Sequence, residues 1–204
     1  DHSTISDGIT IDPPKFVGWR GYWQCLPWQT SPLVSRPIQR KIGMTDDLKV
    51  SATKAGLNGK GMRIGIVQSR FNPAIGSALV SGCIDELNRA AVASNDIVLF
   101  TVPGALEISL VLSELSESGK FDGLIALGCV IRGETYHFEV VCNESARAIT
   151  EIQQHYRVPI ANAILTTENE EQASSRARVK GKEAAQVVLE MIQIRQRIQQ
   201  LPRV

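Results

Sequence analysis

From Arg63 onward the chain alternates short continuous apolar runs with longer stretches whose apolar residues recur at helical spacing. The run RIGIVQ (63–68) is β-branched and unbroken, as a strand covered on both faces requires. Pro73 follows where a helix can begin, because a first-turn residue has no need of its amide hydrogen. Ile75, Leu79, Val80, Ile84 and Leu87 then predict a helix over 74–91. Asp96 to Val102 reads as a second strand, ended by Pro103-Gly104. Leu106, Ile108, Leu110, Val111 and Leu115 suit a helix that closes at Gly119. A third strand spans Gly123 to Val130 and a helix runs from Phe138 to His155. Pro159 precedes a fourth strand, Ile160 to Leu165. The remainder predicts a short helix, Glu170 to Arg178, and a long one, Lys182 to Gln199.

Strands that alternate with helices imply parallel pairing, right-handed crossovers and helices on both faces. The expected fold is an open three-layer α/β/α domain with four parallel strands. Ligands of such sheets bind beyond the carboxyl ends of the strands. That selects the loops 68–74, 101–107, 129–137 and 165–170.

Residues 1–60 break this pattern. Pro13, Pro14, Pro27, Pro32 and Pro37 interrupt every candidate element, and all three tryptophans fall here. The stretch FVGWRGYW (16–23) is aromatic without a period. It reads as an irregular extension, with a docking arm as the other reading. Residues 44–60 read as a polar linker into the folded domain, 61–204.

Charge is balanced, with 22 Lys and Arg against 21 Asp and Glu. This argues against a nucleic-acid or membrane partner, while one local Arg suffices for a small phosphorylated substrate. No apolar run approaches the roughly 20 residues of a bilayer span. Cys25, Cys83, Cys129 and Cys142 form no CxxC pair, and with His2, His137 and His155 they make no metal module. They read as free thiols of a reducing compartment. No basic-then-apolar leader is visible, so the expected location is the cytoplasm.

The strand-end loops carry the unusual residues. Phe71 can wall a flat-ring pocket or cap the core. Glu107 can accept from substrate hydroxyls or serve as a helix-start acid. The loop CVIRGETYH (129–137) is the richest. Gly133 and the amides after it can form an anion nest, and Thr135 adds a hydroxyl. His137 is the best proton-transfer candidate, against a hydrogen-bonding cap. His155 suits a capping or surface role. Neither GxGxxG nor GxxxxGK[ST] occurs, which disfavours those dinucleotide and triphosphate sites.

The segments RFNPAI (70–75), VPGALEI (102–108), ALGCVIRGETYHFEVVCNES (126–145) and ILTTENEEQA (164–173), in that order, resemble the 6,7-dimethyl-8-ribityllumazine synthase family. The resemblance covers about residues 61–200. It implies condensation of 5-amino-6-ribitylaminouracil with 3,4-dihydroxy-2-butanone 4-phosphate, without metal or redox cofactor. It implies a flavodoxin-like sheet in the order 2-1-3-4, with an edge strand added by a neighbour's N-terminal segment. It also implies a homo-oligomer whose sites lie between adjacent subunits of a pentamer.

By motif position, Phe71 matches the aromatic that stacks on the pyrimidine. Glu107 matches the carboxylate that holds the ribityl chain, and Gly104 and Ala105 go with it as substrate-binding positions. Val130 and Ile131 match residues whose backbone reads the ring. Gly133, Glu134 and Thr135 match the phosphate turn. His137 matches the proton-transfer residue and Arg176 the neighbour's phosphate-binding arginine, with Lys180 a basic position behind it.

Three positions depart from the family. Asn162 stands where many members place a phenylalanine. Ser109 replaces a common proline. Gly181-Lys182 shortens a GNKG-like stretch, which is expected to alter how the final helix meets another pentamer. Together with the apolar residues of 182–194 (Ala184, Ala185, Val188, Leu189, Ile192 and Ile194), read as an interface stripe or as internal packing, this favours a pentamer or decamer over a closed capsid. The rival functional classes are a flavin- or lumazine-binding module and a carrier assembly with little turnover.

Overall fold

The structure, a computed structural model, describes residues 56–202. The extension and most of the linker predicted at the N-terminus lie outside the described residues. Within them, Leu57 packs against the core, and the buried Gly59 donates its amide to the Ala90 carbonyl at 2.7 Å.

Four strands form one parallel sheet: β1 (Ile64–Ser69), β2 (Ile97–Val102), β3 (Gly123–Ile131) and β4 (Ile160–Thr167). Their order is β2-β1-β3-β4, with Ile64 facing Ile97 on one side and Gly123 on the other, and Leu124 facing Ile160. The helices are α1 (Pro73–Arg89), α2 (Ile108–Glu117), α3 (His137–Tyr156) and α4 (Glu170–Gln200). This is the three-layer arrangement expected from the alternation, in the flavodoxin-like strand order that the resemblance implied.

Side-chain alternation along the strands divides the core in two. Ile64 and Ile66 point into one cluster with Leu79, Cys83 and Leu87 of α1 and Ala177, Ala185 and Leu189 of α4. Val67, Leu124 and Ala126 point into the other, with Ile108 and Leu112 of α2 and Ile149 of α3. Both faces are covered, which is why β1 and β3 read as continuous apolar runs. The strand β2 is an edge and leaves Leu99 and Phe100 exposed.

The last 31 helical residues correct the sequence pattern, which predicted two helices with a break over 179–181. Here α4 is continuous through Gly181. The glycine serves packing. A Cβ at Gly181 would stand 2.0 Å from the Leu79 carbonyl oxygen, and one at Gly82 would stand 2.1 Å from that of Arg178. The backbones of α1 and α4 meet at these two points, and only hydrogen fits between them.

The reading of 182–194 as an interface stripe is overturned with it. Ala184, Ala185, Val188, Leu189 and Ile192 are buried inside the chain against the sheet and α1, and Ile194 is half-buried. Internal packing accounts for the pattern. Because α4 runs through Gly181-Lys182 without a turn, neither feature favours a pentamer or decamer over a closed capsid.

Candidate active site

The loop after β1 is held from both sides. The Arg70 amide donates to the Val102 carbonyl at 2.8 Å, and its Nη1 donates to the Thr101 carbonyl at 3.0 Å. Asn72 adopts left-handed backbone (φ 58°) and its Nδ2 donates to the Cys129 carbonyl at 3.2 Å. Asparagine tolerates this region better than other residues with a Cβ. Between these anchors Phe71 projects outward, 70% exposed, as the rim of a cavity of about 450 Å³.

The loop after β2 forms the next wall through Gly104, Ala105, Leu106 and Glu107. Glu107 is the residue before α2 rather than within its first turn. Ser109, in place of the family's proline, donates its hydroxyl to the Leu106 carbonyl at 2.9 Å and closes the turn locally.

The end of β3 supplies Cys129, Val130 and Ile131, and the turn into α3 supplies Gly133 and Thr135. His137 is the first residue of α3, exposed and lining the same cavity. Glu134 is exposed and does not line it. Three loops that are far apart in sequence therefore converge where parallel strands end. Leu106, Cys129, Phe138 and Val141 also line the cavity and were not singled out from the sequence. Leu106 and Cys129 fall within the loops 101–107 and 129–137 selected from the sequence, and Phe138 and Val141 in the helix that follows; all are apolar, and no polar signal marks them. Burial pushes the Cys129 thiol up to about 11, so it lines the site as a small apolar group and not as a nucleophile.

Asn162, Arg176 and Lys180 lie elsewhere. They line a second recess of about 550 Å³ along β4 and α4, with Thr166, Gln172 and Glu183, and it shares no residue with the first. Asn162 Oδ1 accepts from the Ile164 amide at 3.0 Å. Lys180 is paired with Glu183 at 2.6 Å. Arg176 Nη1 donates to the Gln172 carbonyl at 2.8 Å, and among the described residues no carboxylate pairs with it.

The helix that carries Arg176 is started firmly. Asn169 Oδ1 accepts from the Gln172 amide at 2.9 Å, and Gln172 Oε1 accepts from the Glu168 amide at 3.2 Å. Glu170 and Glu171 fall in the first turn, where the helix dipole favours acids.

Cys83, Cys129 and Cys142 are free thiols. Among the described residues no cluster of His, Cys, Asp and Glu is arranged to hold a metal ion, and no helix is long and apolar enough to cross a membrane.

An open parallel sheet with a cavity at the strand ends suits a small-molecule enzyme. The family model described as 6,7-dimethyl-8-ribityllumazine synthase matches residues 61–196. The chain is 62% identical over 138 residues to the 6,7-dimethyl-8-ribityllumazine synthase of Methylobacillus flagellatus, covering 68% of this chain and 93% of that protein. It is 54% identical over 154 residues to that of Burkholderia multivorans, covering 76% and 90%. With that of Burkholderia vietnamiensis it shares 53% identity over 154 residues, covering 76% and 91%. The chain belongs to the 6,7-dimethyl-8-ribityllumazine synthase family.

Proposed function

We propose that the protein forms 6,7-dimethyl-8-ribityllumazine by condensing 5-amino-6-ribitylaminouracil with 3,4-dihydroxy-2-butanone 4-phosphate, at a site completed by a second copy of the chain. The observation that carries this is the convergence of Phe71, Glu107, Gly133, Thr135 and His137 on one cavity. The aromatic face suits a pyrimidine ring, the carboxylate suits ribityl hydroxyls, and the glycine turn suits a phosphate.

The reaction divides into proton-moving stages. The 5-amino group attacks the ketone carbon, and the adduct loses water to an imine. Phosphate then leaves as the neighbouring carbon loses a proton. The ribityl-bearing nitrogen closes the ring, and a second water departs. One imidazole at the rim, His137, can take and return these protons in turn. Holding both substrates in one orientation removes the entropic cost of their encounter.

A homo-oligomer is supported by the split of the site residues. The strand-end cavity has its turn and imidazole, while Arg176, which pairs with no carboxylate among the described residues, lies in the other recess. A fork-shaped guanidinium suits a phosphate dianion, and a neighbouring copy can present it. A pentamer, the assembly that the family resemblance implies, is the proposed form. The free thiols support the cytoplasm as the proposed location.

Mixing the purified protein with both substrates tests the reading. Growth of lumazine fluorescence with release of phosphate is the expected result. Tight ring binding without turnover would instead favour a lumazine-binding module.

A further inference from the structure

Arg132 is the basic side chain nearest the glycine turn in sequence, yet its charge is already committed. Nη1 donates to Glu139 Oε1 at 2.5 Å, and Nε donates to Glu168 Oε2 at 2.7 Å. The guanidinium carbon stands 4.1 Å from the centre of the Phe138 ring. The Arg132 amide donates to the Thr167 carbonyl at 2.9 Å, one step beyond the last β3–β4 pair, Ile131↔Thr167.

These contacts join three elements. Arg132 leaves the end of β3, Glu139 lies in the first turn of α3, and Glu168 opens the loop into α4. The residues spanned between Arg132 and Glu139 include the turn Gly133–Thr135 and His137. Phe138, under the guanidinium, lines the cavity itself. A planar fork with Nη1, Nε and one face engaged is restrained in its orientation. Each ion pair alone is exposed and weak. Their joint geometry is what restrains the turn.

The same contacts settle the charge. Glu139 and Glu168 flank a turn suited to a phosphate, and Glu134 lies within it. Arg132 holds the Glu139 carboxyl below its ordinary value, and both carboxylates hold the guanidinium proton more tightly. Arg132 thus offsets two acids beside the anion turn through Nη1 and Nε, so its charge is balanced there before any anion binds.

We propose that Arg132 is a positioning residue that fixes the Gly133–Thr135 turn and His137 against the loop entering α4, and that it does not itself bind the substrate phosphate. This rests on the reading of the turn as the phosphate site and of His137 as the proton carrier. A ligand role and a positioning role predict opposite responses when the carboxylates are neutralised. Glu168→Gln would free a ligand arginine to reach phosphate, but would loosen a brace.

The test uses the full chain as wild type, Arg132→Gln, Arg132→Lys, Glu168→Gln and the Arg132→Gln/Glu168→Gln double variant. For each, kcat, both KM values, thermal midpoint and inorganic phosphate affinity are measured. Arg132→Gln is expected to lower kcat about 10- to 100-fold by misplacing the turn. The KM for the pyrimidine should stay within about twofold, since no uniform binding contact is lost. Arg132→Lys should recover little, because one ammonium cannot span two carboxylates and a ring. The double variant should be no worse than Arg132→Gln alone. Glu168→Gln binding phosphate more tightly than wild type, with that gain lost in the double variant, would overturn the proposal. So would an unchanged kcat in Arg132→Gln, whatever its midpoint. Should Arg132→Gln fail to fold, wild-type kcat in both Arg132→Lys and Glu168→Gln would overturn it equally. A wild type that makes no lumazine would defeat the functional reading, whereas turnover untouched by these variants defeats only this one.

Discussion

The Glu107 carboxylate lies directly over Gly104: a Cβ added to the glycine would come within 2.8 Å of Glu107 Oε2. The atom in the way is the end of a flexible side chain, so Gly104→Ala should fold normally. The carboxylate must then swing from its place at the cavity wall. Loss of one charge-assisted bond to a ribityl hydroxyl costs about 1.5 kcal/mol, roughly tenfold in affinity. Titration of Gly104→Ala with the ribitylamino-pyrimidine should show that weakening at an unchanged thermal midpoint. Unaltered affinity would remove Glu107 from the ribityl contact.

His137 is exposed at the first residue of α3, and its removal leaves the core intact. His137→Ala should lower turnover by about 10- to 100-fold, less than the full range for a general acid–base group because water and buffer can carry protons too. Added imidazole should restore part of the rate. A rate that imidazole does not raise would indicate that the side chain orients substrate and moves no proton.

Glu86 is only 3% exposed and is bound by Arg89 and by Gln186 Nε2, the latter at 2.7 Å. The hydrogen bond from Arg89 holds its carboxyl down to about 2. A carboxylate depressed in the folded state is protonated first in the unfolded one. Its contribution is therefore whole above the ordinary value of 4.5 and is lost as pH falls towards about 2. Glu86→Gln should lose about 1–2 kcal/mol at neutral pH. Urea titrations between pH 2 and 5 should show a flatter acid slope in the variant. Parallel slopes would mean that Glu86 carries no linkage.

Ser69 ends β1 with a fully buried hydroxyl that has no hydrogen-bond partner among the described residues. Its Oγ lies 2.8 Å from where a Cβ of Gly128 would stand, so the glycine makes room for it. Ser69→Ala removes an unmatched polar atom and should leave stability unchanged or raise it by about 1 kcal/mol. A loss measured by denaturant unfolding would reveal a partner for the hydroxyl.

The strands and the strand-end loops were legible because both follow from local rules. Apolar runs such as 63–68 report burial on two faces, and parallel topology places Phe71, Glu107 and His137 at one edge. What was not legible depended on tertiary contact. Gly181 resembled a break between helices because helix propensity treats glycine as a cost. Its reason is the carbonyl of Leu79 on another helix. The 182–194 stripe likewise shows that its residues are covered without showing by what. The brace at Arg132 was invisible for the same cause, since Glu168 is 36 residues away.

Arg176 and His137 line separate recesses of one chain, and that separation can be tested by mixing. Arg176→Ala should raise the KM for the phosphorylated ketone by about 10- to 100-fold, the loss of a charge-assisted phosphate contact of about 1.5–3 kcal/mol. The pyrimidine KM should change little, because Arg176 lines neither the aromatic nor the carboxylate wall. Next, Arg176→Ala and His137→Ala copies are unfolded together and reassembled. If each site takes its cavity from one copy and its arginine from the next, random mixing gives about a quarter of interfaces with both native residues. The mixture should then exceed the average of the two variants severalfold. Sites complete within one chain would contain one defect in every copy, and mixing would recover nothing. Reassembled wild type sets the reference rate, and light scattering on the mixture checks that assembly has returned. Recovery at the average of the parents, with assembly intact, would place the whole reaction inside a single chain and move the phosphate cation away from Arg176.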